Sequence, residues 1–316
     1  MLMDEPGFRS NPATIAALEN DRHRVYIQSY GQTKRVVAGF LSWLPLERTN
    51  RSMSDFTDVT YEVEDGLAWI TINRPDRYNA FRARTVDELV KSFKKAWGSS
   101  EVGAIALTGA GEKAFCSGGD QKQRMETGDY GPSDSGLFEV EALHRVLRDV
   151  PKPVIAAVNG VAVGGGHVLH LLCDLSIAAE HAIFGQNGPR VGSFDAGLGT
   201  GYLARAIGEK RAREIWFLCR RYSAEQALDW GLVNKVAPGD QLRAEVRAWA
   251  DEILQLSPTS LKVLKQSLNA DTEHFIAQGN MAYSTLKLFG ESAEAIEGIS
   301  AFNEKRKPDF SKFRGA

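Results

Sequence analysis

Val102–Gln121, VGAIALTGAGEKAFCSGGDQ, reads as an apolar strand followed by a glycine-rich turn, and Pro153–His167, PVIAAVNGVAVGGGH, repeats that order. A strand that ends in glycines leaves backbone N–H groups unpaired and lets a ligand approach them closely. The turns CSGGDQ (Cys116–Gln121) and VGGGH (Val163–His167) lie about 45 residues apart and could each aim one N–H at the same carbonyl oxygen. Such an oxyanion hole is usually the largest single contribution to catalysis through an enolate. A third stretch, FGQNGPRVGSFD (Phe184–Asp195), adds polar residues and another glycine-rich turn.

Strands alternating with helices predict an α/β layered core. YEVEDG and LAWITINRP flank a hairpin signal at Asp65-Gly66. A helix is expected over Thr85–Trp97, a strand over Ala104–Leu107, and a polar loop over Lys122–Ser135. Helix Leu137–Asp149, strand Val154–Val158, helix Gly165–Leu172 and strand Leu175–Ala179 follow. From Gly197 the pattern is mostly helical: Gly199–Ile207, Lys210–Leu218, Ala224–Trp230, Gln241–Leu256, Pro258–Ala270 and a long final stretch.

The three motif segments resemble the crotonase (enoyl-CoA hydratase/isomerase) superfamily over about Phe56–Phe313, including the tail AFNEKRKPDFSKF. Within it the chain is most similar to the 1,4-dihydroxy-2-naphthoyl-CoA synthases, with the ring-opening 2-ketocyclohexanecarboxyl-CoA hydrolases next. The resemblance implies a spiral of ββα units with a helical C-terminal oligomerisation region. It divides the chain into an N-terminal extension (1–52), a core (53–257) and C-terminal helices (258–316). It also implies a homotrimer or dimer of trimers, and an acyl-CoA substrate whose CoA is part of the substrate rather than a bound cofactor.

By the same resemblance, Gly119 and Gly165 are the oxyanion donors. Ser117, Gly118, Asp120, Gln121, Val161, Ala162, Val163 and Gly164 line the thioester pocket, and Lys305 meets the CoA phosphates. For Asp120 the sequence favours a structural role in holding the turn. Asp195, with Ser193 near it, moves a proton at the enolate; alone it would read as a helix cap. Tyr130 is a candidate to touch the reacting ring, or an ordinary loop tyrosine. Hydratases carry two glutamates where this chain has Val168 and Gly188, so the pair of carboxylates that adds water is missing. Gln186, Asn187, Gly188 and Trp216 instead resemble a pocket that holds bicarbonate as a diffusible base. Related synthases borrow a tyrosine from a neighbouring subunit where this chain has Phe289-Gly290; Tyr283 is the nearest substitute.

Composition narrows the alternatives. Net charge is −2 with both signs mixed, which gives no basis for a nucleic-acid partner. Three scattered cysteines (Cys116, Cys173, Cys219) fit a reduced, cytoplasmic setting, and no apolar run reaches the roughly 18 residues of a membrane span. His144, His167 and His170 have no metal-ligand spacing, and His167 reads as a packed helix residue. The glycine turns fit neither a dinucleotide fingerprint nor a P-loop. Residues 1–52 lack helical or strand periodicity, are expected to be mobile or packed only through Phe40–Leu46, and leave Met53 as an alternative start.

Overall fold

The computed structural model describes residues 56–195 and 197–315, together with strands β1 (Gln28–Ser29) and β2 (Gln32–Thr33), which pair antiparallel. The chain divides into residues 1–50 and 51–316, and the architecture below is that of the second unit. The expectations for residues 1–52 otherwise lie outside the described residues.

The Asp65-Gly66 signal becomes a tight hairpin. Both residues have positive φ (42° and 82°), the conformation that matches the twist of paired strands. It joins β3 (Val59–Glu64) to β4 (Leu67–Ile72) in an unbroken register from Val59 opposite Ile72 to Glu64 opposite Leu67. Helix α1 (Ala83–Gly98) then buries Val86, Leu89, Val90 and Phe93, the residues of its apolar stripe.

Three strand pairs follow: β5 (Ala104–Gly109) with β6 (Ala114–Cys116), β7 (Val154–Val158) with β8 (Val161–Val163), and β9 (Leu175–Ala179) with β10 (Ile183–Gly185). The first member of each pair enters a six-stranded sheet and the second a four-stranded sheet. With β11 (Tyr222–Ser223) and β12 (Lys235–Ala237), the orders are β12-β9-β7-β5-β4-β3 and β11-β10-β8-β6. A helical segment closes each turn: α2 (Gln121–Thr127) and α3 (Val140–Asp149), then α4 (Gly165–Leu172), then α5 (Leu198–Ile207). Three ββα turns therefore deliver strand ends and helix starts to one place, as the spiral implied by the family resemblance requires. The parallel strands β5 and β7 are buried almost throughout, because helices cover both faces of their sheet.

Six helices complete the chain: α6 (Glu209–Leu218), α7 (Ala224–Asp229), α8 (Leu242–Leu254), α9 (Pro258–Ala270), α10 (His274–Gly290) and α11 (Ala293–Asn303). Helix α8 seals the large sheet with Leu242, Val246 and Ala250 against Leu67, Trp69 and Ile155. Two buried cations hold α9 and the α9–α10 turn to the core. Lys265 donates to the carbonyls of Leu147 and Lys152 and to Asp174, and Arg148 pairs with Glu273 and donates to the Asn269 carbonyl. Among the described residues, no helix is long and apolar enough to cross a membrane.

Two local expectations need correction. The expected loop Lys122–Ser135 begins as α2, because Asp120 caps it by accepting from the N–H groups of Lys122 and Gln123. Helix α3 starts at Val140 rather than Leu137, where the carbonyl accepts from Ser133 Oγ and the side chain is exposed. The long final stretch divides at Ser292, whose hydroxyl accepts from the Ala295 N–H and starts α11.

Candidate active site

The ends of β6, β8 and β10 open into a cavity of about 450 Å³ roofed by α10. Gly119 and Gly165 both line it. Gly119 forms a parallel bridge with Phe81, in which Phe81 donates to the Gly118 carbonyl and Asp120 donates to the Phe81 carbonyl. In that pattern the N–H of Gly119 itself points away from Phe81. Gly165 is the first residue of α4, so its N–H has no intrahelical partner and carries the positive end of the helix dipole.

The turns fit together because they lack side chains. A Cβ at Gly118 would lie 3.0 Å from the Gly165 nitrogen, and Gly118 and Gly164 have φ of 88° and 57°. A Cβ at Gly119 would strike the Tyr130 ring at 2.5 Å, and one at Gly165 the Phe81 ring at 2.6 Å. Tyr130 therefore covers the first donor, stacked on Phe138 with ring centroids 4.4 Å apart.

Asp195 sits across the cavity, half-buried. Its Oδ1 accepts from the N–H groups of Gly197 and Gly199 at 3.3 and 3.2 Å, so the helix-cap geometry is present. Burial nonetheless pushes its carboxyl above the usual carboxylate range, and those two bonds only partly oppose it. A Cβ at Gly199 would lie 2.8 Å from both the Asp195 carboxyl carbon and Val168, so glycine there seats the acid. Ser193 lines the cavity beside it, but no hydrogen bond joins the two side chains.

The segment expected to hold an anion also faces the cavity, through Gln186, Asn187, Gly188 and Trp216. The Gln186 amide and the Trp216 indole N–H are buried donors without a hydrogen-bond partner. An orphaned buried donor costs roughly 1–3 kcal/mol, so two among the lining residues call for acceptors. Arg221 borders the same wall, donating to the Gln186 carbonyl and to Asn187 Oδ1. These donors fit a small oxyanion such as bicarbonate. A side chain at Gly188 is not free to replace it, since its Cβ would meet the Ser193 carbonyl at 2.8 Å.

Ser117, Gly118, Asp120, Gln121, Val163 and Gly164 line the cavity as well. Asp120 is occupied by its cap and by Arg74 at 2.9 Å, consistent with a holding role. Three expected residues do not reach the lining. Val161 and Ala162 lie within β8 between β6 and β10, and Lys305 is exposed beyond α11. His167 and His170 are buried against Phe184 beneath the cavity floor.

Two side chains received too little weight from sequence. Tyr283 of α10 reaches the cavity and hydrogen-bonds His144 of α3, which also lines it. The signal for His144 was its place among Val140, Leu143 and Leu147 on one apolar face, where an unpaired imidazole needs a reason.

A family model described as enoyl-CoA hydratase/isomerase matches residues 62–313. Among solved structures, carnitinyl-CoA hydratase from Mycobacterium avium is 31% identical, with a TM-score of 0.71 over 81% of this chain and 98% of that one. Enoyl-CoA hydratase/isomerase from Pseudoalteromonas atlantica T6c is 27% identical, with a TM-score of 0.74 over 80% of this chain and 100% of that one. An enoyl-CoA hydratase from Mycobacterium avium subsp. paratuberculosis K-10 is 28% identical, with a TM-score of 0.69 over 80% and 98%. With two glycine turns meeting at one cavity and a family match along most of its length, the chain belongs to the enoyl-CoA hydratase/isomerase family of the crotonase superfamily.

Proposed function

We propose that the protein closes a ring by carbon–carbon bond formation through a thioester enolate, as in the conversion of o-succinylbenzoyl-CoA to 1,4-dihydroxy-2-naphthoyl-CoA with loss of water. The observation that carries this reading is the pair of orphaned donors among the lining residues, Gln186 and Trp216, in a chain with no carboxylate at position 168 or 188. Hydration requires carboxylates to activate water. Val168 is fully buried and Gly188 has no side chain, which argues against the hydratase activity named for the similar structures.

In this reading the thioester oxygen lies between the N–H groups of Gly119 and Gly165, which stabilise the enolate charge as it forms. A bicarbonate against Gln186 and Trp216 would supply the base for the α-proton. The α-carbon then attacks the ring carboxyl carbon, forming the new C–C bond. Asp195 in its protonated form donates to the oxygen that leaves as water. Phe81, Tyr130 and Phe138 supply aromatic surface for a flat ring. A second reading, supported by Gly290 where synthases carry a tyrosine, is ring opening: water attacks the β-keto carbon of a cyclic acyl-CoA and the C–C bond breaks to the same enolate.

The deciding experiment offers purified protein o-succinylbenzoyl-CoA and 2-ketocyclohexanecarboxyl-CoA separately, with products identified by mass. Loss of 18 Da from the first supports ring closure, and gain of 18 Da by the second supports ring opening. Hydration of crotonyl-CoA at a comparable rate would overturn both.

A further inference from the structure

The cavity holds one tyrosine–histidine pair that the reaction outlined above does not use. Tyr283 and His144 come from helices α10 and α3, 139 residues apart, and join through the phenol oxygen and Nδ1 of the imidazole. Their rings are tilted at 53° with centroids 5.8 Å apart. Both line the cavity, as does Asp195. The other imidazole nitrogen, Nε2, is buried and has no partner.

That orphan argues for one direction of the bond. A neutral imidazole carries one N–H. If the proton sat on Nε2, a buried donor would go unsatisfied. With the proton on Nδ1, Nε2 keeps only a lone pair and no N–H is buried without an acceptor. His144 then donates to the Tyr283 oxygen, and the phenol O–H is free to donate into the cavity. Burial holds His144 neutral, with its value pushed down to about 4, and raises that of Tyr283 well above the ordinary phenol, so the hydroxyl keeps its proton.

We infer that Tyr283, aimed by His144, donates a hydrogen bond to the oxygen on the carbon β to the thioester carbonyl, beside Asp195, and so selects acyl-CoA substrates oxygenated at that carbon. The inference rests on the acyl-CoA enolate reading of the site but holds for ring closure and ring opening alike, because both place an oxygen there. Tyr283 is the group that meets substrate; His144 is a positioning residue that acts through it.

The test uses two unreactive aromatic probes, 1-hydroxy-2-naphthoyl-CoA and 2-naphthoyl-CoA, with binding measured by calorimetry. The wild-type protein should prefer the hydroxylated probe. Tyr283→Phe should weaken that probe about 10-fold or more and leave the plain probe within about twofold, as expected when a site loses the partner of a substrate oxygen. His144→Phe should act in the same direction. His144→Asn, whose amide can replace the Nδ1 donor, should restore binding, whereas His144→Gln should not. On whichever substrate turns over, Tyr283→Phe should lower kcat about 100-fold with KM little changed, and Tyr283→Phe/His144→Phe should be no slower than Tyr283→Phe alone. Equal affinity of the wild type for both probes, equal weakening of both by Tyr283→Phe, or multiplicative losses in the double variant would each overturn the inference. Wild-type binding of neither probe would overturn the acyl-CoA reading as well, which distinguishes the two failures.

Discussion

At the residue scale, the cap-like bonds of Asp195 do not exclude the acid role proposed for it. Its Oδ1 caps the start of α5, while burial keeps the carboxyl protonated to higher pH than an ordinary aspartate. Asp195→Asn should retain the fold and lower kcat at least about 100-fold, as for loss of a general acid; steady-state kinetics beside a thermal melt would check it. The folded-state value lies above the unfolded one, so stability from this group is fullest at acid pH and declines as pH rises through the raised value. The non-ionising Asn variant should therefore melt higher than wild type at neutral pH, with the gap closing on acidification. Wild-type kcat should fall on the alkaline side as the acid is lost. The glycine turns around Gly119 and Gly165 were visible in sequence as runs at strand ends, while Asp195 alone read as a helix cap and needed the family resemblance to suggest an acid. The Tyr283–His144 pair was not visible, since 139 residues separate its members and the place of His144 on an apolar helix face does not name its partner.

At the element scale, the first turn of α4 presents the Gly165 N–H, proposed above as the second oxyanion donor. Gly165→Pro keeps a helix-compatible N1 residue but removes the N–H. Gly165→Ala keeps that N–H, and either side chain must displace the Phe81 ring. The proline variant should be about 100-fold slower than the alanine one, a difference assignable to the donor; comparable rates would remove Gly165 from the hole. In α6, Trp216→Phe retains the ring and deletes an indole N–H that has no protein partner. If that N–H binds bicarbonate, activity should drop in carbonate-depleted buffer, and the variant should need about 10-fold more bicarbonate for recovery. Rates indifferent to bicarbonate would favour ring opening or another base. The long helices and buried parallel strands were readable from periodicity. Helix α2 was not, because its residues are polar and only the Asp120 cap starts it. Strands of two or three residues such as β10 and β11 are too short to show a period.

Across the whole molecule, three imidazoles are buried with depressed proton affinity: His144 at about 4, His167 at about 3, and His170 well below its ordinary value. Burial is the first cause in each case. The unfolded chain binds protons that the folded one refuses, so stability is complete above about pH 6.5 and is lost as pH falls toward those values. Each histidine should contribute a slope of about 1.4 kcal/mol per pH unit in that window. Urea midpoints measured between pH 7 and pH 5 should fall accordingly, and a flat profile would place these rings in contact with solvent. The pairing of strands between two sheets is a global property. The order of elements predicted an α/β layered core, but the family resemblance was needed to arrange them as a spiral.

One backbone contact, between α5 and α10, bears on the proposed reading. A Cβ at Gly197 would lie 2.5 Å from the Cα of Gly279, whereas one at Gly279 would meet nothing closer than 3.8 Å. The α5 entrance and α10 thus meet backbone to backbone, and in the proposed acyl-CoA reading that contact would act as a spacer between Asp195 and Tyr283, which both line the cavity. Gly197→Ala is a one-methyl shim in that spacer and should shift preference toward bulkier acyl groups, read as the ratio of kcat/KM for large and small thioesters. Gly279→Ala should leave that ratio unchanged, making the chamber adjustable from one side only.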